Sequence, residues 1–420
     1  MKRRMTFGLA SVFSLALVHC AADQTDGKAP DTSPQSEADG ATSDPDAGES
    51  TPDAAPEATP DAAPDASPPG DAGVCSADQW CQTSLPSSDI ELQAVWSFGV
   101  DDAIAVGTTG AIQWKGTAWT AVASPDVSLE GLTGLCATAP TDIWGTDENA
   151  NRLVHGSRTA AGATFQWSEI TSYTFPFPVS FLRSTGPKDL WGLSRWPSSS
   201  VYLVHAVLPD AGQPGEPVWT TTALPIDAFW NFTLSGFAIT EDKQIWIGGY
   251  VSDFGWPPPP EIAHVYHGTP PVTEGGEYTW EESFTSDGSL PTTVAGLWAR
   301  SSDDVWVISN LGTTYDPLPK PTVNYHRKVD GSGPAVWTSV PNNSSAYATA
   351  VWGSGKDDVW TVGTSGAIRR WNGAKWGTSR ISVDGTPLFK DLAAIHGSSA
   401  NDIWAVGKGI ALHRAPGGAP

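Results

Sequence analysis

One short frame returns seven times along this 420-residue chain. An apolar residue is followed by a variable one, and six positions after the variable one stands an Asp, usually with Trp two positions further on. The frames open at Val95-Trp96, Leu135-Cys136, Leu182-Arg183, Phe237-Ala238, Leu297-Trp298, Val351-Trp352 and Ile395-His396. They are completed by Asp102-Ala103-Ile104, Asp142-Ile143-Trp144, Asp189-Leu190-Trp191, Gln244-Ile245-Trp246, Asp304-Val305-Trp306, Asp358-Val359-Trp360 and Asp402-Ile403-Trp404. Gln244 alone departs at the Asp position and Ile104 alone at the Trp position. A period of this length marks an array of small supersecondary units that bury their apolar faces only against one another.

Each frame reads as two short strands, rich in Val, Ile and Trp, joined by a tight polar turn. A third apolar strand follows, at Ala111–Trp114, Arg152–His155, Val201–His205, Glu261–Tyr266, Thr322–His326, Ala367–Trp371 and Ile410–His413. A fourth opens on Trp119, Trp167, Trp219, Trp280, Trp337 and Trp376. Four antiparallel strands repeated radially make the blade of an all-β propeller, and seven repeats suit such a ring. The seventh repeat lacks a fourth strand, because the chain ends soon after Arg414. An orphan Trp80 stands 16 positions before Trp96, matching the 16 from Trp167 to Arg183 and the 17 from Trp119 to Cys136. The N-terminal strand is therefore expected to complete the last blade, which removes the exposed sheet edge.

Thirteen of the 21 Trp occupy two positions of the repeat and are read as core. The repeated Asp is expected to accept backbone N–H bonds at the turn. One Asp per blade does not converge on a metal, and no cofactor is expected. His155, His205, His326 and His413 share a repeat position and read as structural, whereas His264 and His267 could reach a common metal ion that lacks a third ligand. Cys75 and Cys81 are expected to form a disulfide beside Trp80. Cys136, on an inner strand, reads as a buried free thiol.

The folded region is preceded by segments of another kind. Lys2, Arg3 and Arg4 lead into an apolar run from Met5 to Val18, too short to span a bilayer and suited to an export signal over 1–19. Leu17-Val18-His19-Cys20 resembles the lipobox of bacterial lipoproteins, which implies a lipid on Cys20; His19 departs from the small residue usual before the Cys. The rival is an ordinary signal peptide cut after the Ala pair. Residues 21–74 hold 13 acidic residues, one Lys, nine Pro and no aromatic, with Pro52, Pro56, Pro60, Pro64 and Pro68 in strict period. Such a stretch cannot offset its ordering entropy and reads as a disordered tether over 20–74. With 46 Asp and Glu against 23 Lys and Arg, the chain is a poor fit to nucleic acid.

The run Gly353-Ser354-Gly355-Lys356-Asp357-Asp358-Val359-Trp360, with Gly366-Ala367-Ile368-Arg369-Arg370-Trp371 and Lys375-Trp376, resembles the repeat of β-propeller lipoproteins of Gram-negative bacteria. More loosely it is similar to tectonin-type lectin propellers. The resemblance covers about 75–414 and implies the fold; the sialidase Asp-box, kelch and WD signatures are absent. Cell outer-membrane anchoring, on the periplasmic or the surface side, is what the lipoprotein likeness implies.

No Gly-x-Ser-x-Gly, His-Glu-x-x-His or phosphate loop occurs. Spacing from the second-strand Trp position to the outer Trp is 15, 23 and 16 in repeats one, two and six, but 28, 34 and 31 in three, four and five. The longer connections carry Trp196, Tyr250, Asp253, Phe254, Trp256 and Tyr315, beside Glu261 and Asp316, a set suited to sugar rings. Two readings remain open. One is a monomeric, membrane-tethered, non-catalytic module binding glycan or protein. The other is a glycan-active hydrolase or lyase with paired carboxylates at the propeller mouth.

Overall fold

The computed structural model describes residues 75–171, 178–195, 200–209, 216–225, 232–251, 261–273, 275–288, 292–312, 322–329, 333–342, 344–379, 381–383 and 386–415. The expected export signal, Cys20 and the expected tether lie outside them.

Seven four-stranded antiparallel sheets form the blades. Blade one comprises Leu92–Gly99, Asp102–Gly107, Gly110–Trp114 and Trp119–Ala121. Blade two comprises Gly134–Ala139, Asp142–Asp147, Arg152–Ser157 and Gln166–Glu169. Blade three runs through Val179–Gly186, Asp189–Arg195, Val201–Val207 and Val218–Ala223, and blade four through Phe232–Ile239, Ile245–Val251, Ile262–Thr269 and Thr279–Thr285. Blade five contains Thr292–Ser301, Asp304–Leu311, Thr322–Val329 and Ala335–Pro341; blade six contains Ala348–Gly355, Asp358–Gly363, Ile368–Trp371 and Trp376–Ser379. Blade seven takes Leu392–Ser399, Asp402–Gly407 and Ile410–Arg414 from the C-terminal end and Trp80–Gln82 from the N-terminal side. The first strand of every blade packs against those of both neighbours, blade seven against blade one included, so the ring closes. A two-stranded hairpin, Ser382–Val383 with Thr386–Pro387, was not legible in the repeat.

Closure has the expected register: Trp80 lies opposite Arg414, Cys81 opposite His413 and Gln82 opposite Leu412. Cys75 and Cys81 are disulfide-bonded. Cys136 is fully buried, but the expected free thiol is corrected: none of the described cysteines is free.

The two Trp positions rivet neighbouring blades. Trp404 meets Trp119 of blade one edge-on at 4.9 Å, Trp144 meets Trp219 at 6.4 Å, Trp246 meets Trp337 at 6.1 Å and Trp306 meets Trp376 at 5.3 Å. Edge-to-face pairs of this kind add about 0.5–1.5 kcal/mol each beyond the area they bury.

The repeated Asp does something other than cap the turn backbone. Directly across from the second-strand Trp position stands a third-strand side chain: Gln113, His155, His205, His267, His326, Arg370 or His413. Each reaches the Asp position. His155 Nε2 lies 2.8 Å from Asp142, His205 3.0 Å from Asp189, His326 2.8 Å from Asp304 and His413 2.7 Å from Asp402. The imidazoles stack on the Trp beside them, as His413 does on Trp404 at 3.9 Å. His267 belongs to this set, contacting Gln244 at 2.9 Å and stacking on Trp246. A Ser or Thr four positions before the Asp often adds a bond, as Thr138 donates to Asp142 at 2.7 Å. The carboxylate ties the first three strands of its blade together near one end, and Asp102, Asp189 and Asp402 are also held from the next blade, by Arg158, Lys243 and Ser97.

Blade one, lacking Trp and His at these positions, is repaired from blade two. Arg158 is fully shielded and grips Asp102 through both amino groups, at 2.6 and 3.0 Å. Its guanidinium lies over Phe98 and Phe165, 4.5 and 4.3 Å from the ring centres.

Candidate functional site

The connections between second and third strands leave the ring on one face. In blades one and seven they are tight, from Gly107 to Gly110 and from Gly407 to Ile410. Gly409 takes φ +64° there, and a side chain on it would run into the Ser88 carbonyl. In blades three, four and five the same connections run from Arg195 to Val201, Val251 to Ile262 and Leu311 to Thr322. The added chain on this face is thus greatest in the adjacent blades four and five, while blade three's connection is close in length to Asp147–Arg152 of blade two and Gly363–Ile368 of blade six. Trp196, Asp253, Phe254, Trp256, Tyr315 and Asp316 lie outside the described residues. Tyr250 sits on the second strand of blade four, opposite Ala263, and only 9% of it is exposed. Glu261 is buried at the start of the third strand, its carbonyl accepting from Thr292 N at 2.8 Å. The described part of this sector therefore anchors the loops instead of offering rings to solvent.

Two charged groups beside that sector are unusual. Glu148 follows the second strand of blade two, where burial, and next the charge of Asp147, push its carboxyl up to about 8. Asp147 itself is held by Arg152 at 3.3 Å and by the backbone N–H groups of Asn149 and Ala150. Arg183, on the first strand of blade three, is buried with one hydrogen bond, to the Leu182 carbonyl at 2.8 Å. Desolvation pulls its guanidinium down to about 9.

His264 and His267 do not share a metal geometry: His264 pairs with Glu282 and His267 with Glu281. Among the described residues no three His, Cys, Asp or Glu side chains come together to hold an ion.

The opposite face carries a formed cleft of about 370 Å³ between blades six and seven. Ala77–Gln79, just before the closing strand, form one wall; Asn372 and Gly377–Ser379 of blade six form the other. Arg370 and Arg414 both stand in it against buried Trp360, 5.1 and 5.2 Å from its ring centre. Arg370 Nε donates to Asp358 at 2.6 Å. Arg414 donates to the Ala400 carbonyl at 2.6 Å and to Gln79 Oε1 at 3.4 Å, and its Nε is buried with no partner. Burial, and next the charge of Arg370, lower the Arg414 guanidinium. Two like charges thus face one space. Sequence reading missed this cleft; the available signal was Arg370 standing where most blades place His.

No protein-family model matches the sequence, and no curated protein matches it. Solved structures do. YCF48 from Cyanidioschyzon merolae is 13% identical, with a TM-score of 0.55 over 80% of this chain and 99% of its own. YCF48 bound to D1 peptide is 14% identical, with a TM-score of 0.52 over 82% of this chain and 99% of its own. A catalytically inactive virginiamycin B lyase from Staphylococcus aureus with quinupristin is 13% identical, with a TM-score of 0.54 over 80% of this chain and 97% of its own. At these identities the likeness is one of fold, and the chain is a seven-bladed β-propeller.

Proposed function

We propose that this chain is an exported lipoprotein, anchored to the cell outer membrane through Cys20, that works as a non-catalytic binding module for a glycan or protein. Its ligand is taken on the face where the long connections of blades four and five emerge. The observation that carries this reading is the length of two adjacent connections: those of blades four and five run from Val251 to Ile262 and from Leu311 to Thr322, against Gly107 to Gly110 and Gly407 to Ile410 in blades one and seven. Loops on a rigid scaffold are where recognition residues collect. The repeat's own carboxylates and imidazoles support the reading too, since their mutual hydrogen bonds leave them little to offer a substrate. A propeller of this shape holding a peptide, as YCF48 does, is consistent with it. The acidic tether of 21–74 would hold the ring off the membrane, reaching on the order of 150 Å if extended.

Replacing 252–260 and 313–320 by two-residue turns should abolish capture on a glycan array or by a protein partner without lowering the melting temperature. Binding retained by that variant would sink the placement. Cys20→Ser should move the protein out of the membrane fraction.

A second reading, a glycan-active hydrolase or lyase, is favoured by one observation: Glu148 is a carboxylic acid protonated at neutral pH on the loop face. Turnover of oligosaccharides that is lost in Glu148→Gln would favour it over the binding module.

A further inference from the structure

We propose that the cleft between blades six and seven recognises one uronic-acid unit of an acidic polysaccharide, holding its carboxylate between Arg370 and Arg414. The site is independent of whatever the loop face binds, lying at the other end of the strands. Arg370 commits only Nε, to Asp358, so both its terminal amino groups remain donors without an acceptor. Arg414 adds a second guanidinium to the same cavity. Paired guanidinium groups match a planar carboxylate in geometry as well as charge.

The rest of the lining argues for a sugar acid over a polyanion held by charge alone. Asp78 lies in the wall, bonded by Ser379 Oγ at 3.0 Å, and Asp358 lies just behind Arg370. Asp78 and Asp358 offset the two guanidinium groups, so charge alone does not hold a polyanion here and hydroxyls must supply the remaining bonds. Asn372 uses its Oδ1 for the backbone N–H groups of Ala374 and Lys375, which leaves its amide N–H₂ for a hydroxyl. A cavity of about 370 Å³ falls in the small-ligand range of roughly 300–1,000 Å³.

Titration calorimetry of the full mature chain at low salt tests this with three probes: tetragalacturonate, a neutral galactose tetramer and tetraglutamate. Tetragalacturonate alone should bind, and it should shift the Asn372 side-chain amide resonances. Arg370→His restores the residue that other blades pair with Asp, so the fold keeps its bond while the guanidinium is lost. Affinity should then fall about tenfold or more with the melting temperature unchanged. The proposal is overturned if tetragalacturonate does not bind, if either control binds equally well, or if Arg370→His binds as the parent does. Because shortening 252–260 should leave this binding intact, its failure and that of the loop-face reading are separable.

Discussion

Trp360 of blade six meets Trp80 edge-on, ring centres 5.6 Å apart and planes at 79°. The contact repeats the inter-blade pairing of Trp306 with Trp376, although Trp80 and Trp360 stand at opposite ends of the folded chain. It makes the closing strand an ordinary outer strand in packing as well as in hydrogen bonding.

Trp80→Ala should therefore cost about 3–5 kcal/mol, the cavity cost of a large buried ring, and should open the seam between blades six and seven first. Hydrogen exchange checks this: amides of Ile410–Arg414 should lose protection before those of blades two to four. Reducing Cys75–Cys81 should have a smaller effect, about 2 kcal/mol, because the loop it closes is short.

Acid should weaken the ring through its Asp–His pairs. In Asp402, burial works to raise the carboxyl, but hydrogen bonds from His413, Ser398 and Ser97 outweigh it and hold it below the ordinary 3.8. Asp142 and Asp304 are lowered in the same balance, and Asp189 chiefly by His205. A depressed folded value gives stability that is present above 3.8 and lost as pH falls through the lower one. Denaturant melts from pH 6 to pH 2 should show that loss. Asp402→Asn should flatten part of it while costing about 3–5 kcal/mol at neutral pH.

Glu148 has the opposite sign. Its folded value of about 8 lies above the ordinary 4.5, so ionisation opposes folding. Stability should decline as pH rises from 4.5 towards 8 and level off beyond. Glu148→Gln should remove that slope and raise stability at pH 8 by on the order of a few kcal/mol. An unchanged pH profile would show that the carboxyl is solvated in solution.

Arg158 tests the repair of blade one. Arg158→Ala leaves Asp102 with only the neutral donors Gln113 and the Gly162 N–H and should cost about 3–5 kcal/mol, whereas pairing Arg158→Met with Asp102→Leu should recover most of it. Thermal melts of the single and double variants give the coupling directly.

The blade pattern was legible in the sequence because each blade is built from neighbours in the chain. Alternating apolar residues, turn residues and a Trp at fixed offsets report a hairpin wherever they occur, and seven copies exposed the phase and the orphan Trp80. Even Arg370 was visible as a departure from His. What no local pattern could announce is contact between blades. Ser97 donates to Asp402 at 2.5 Å across 305 positions, Arg158 enters blade one from blade two, and Arg414 comes beside Arg370 only after the ring closes. Such meetings depend on the angle and spacing at which whole sheets pack. The strands and their order were therefore written along the chain, while the shielded ion pairs and the cleft exist only in the assembled ring.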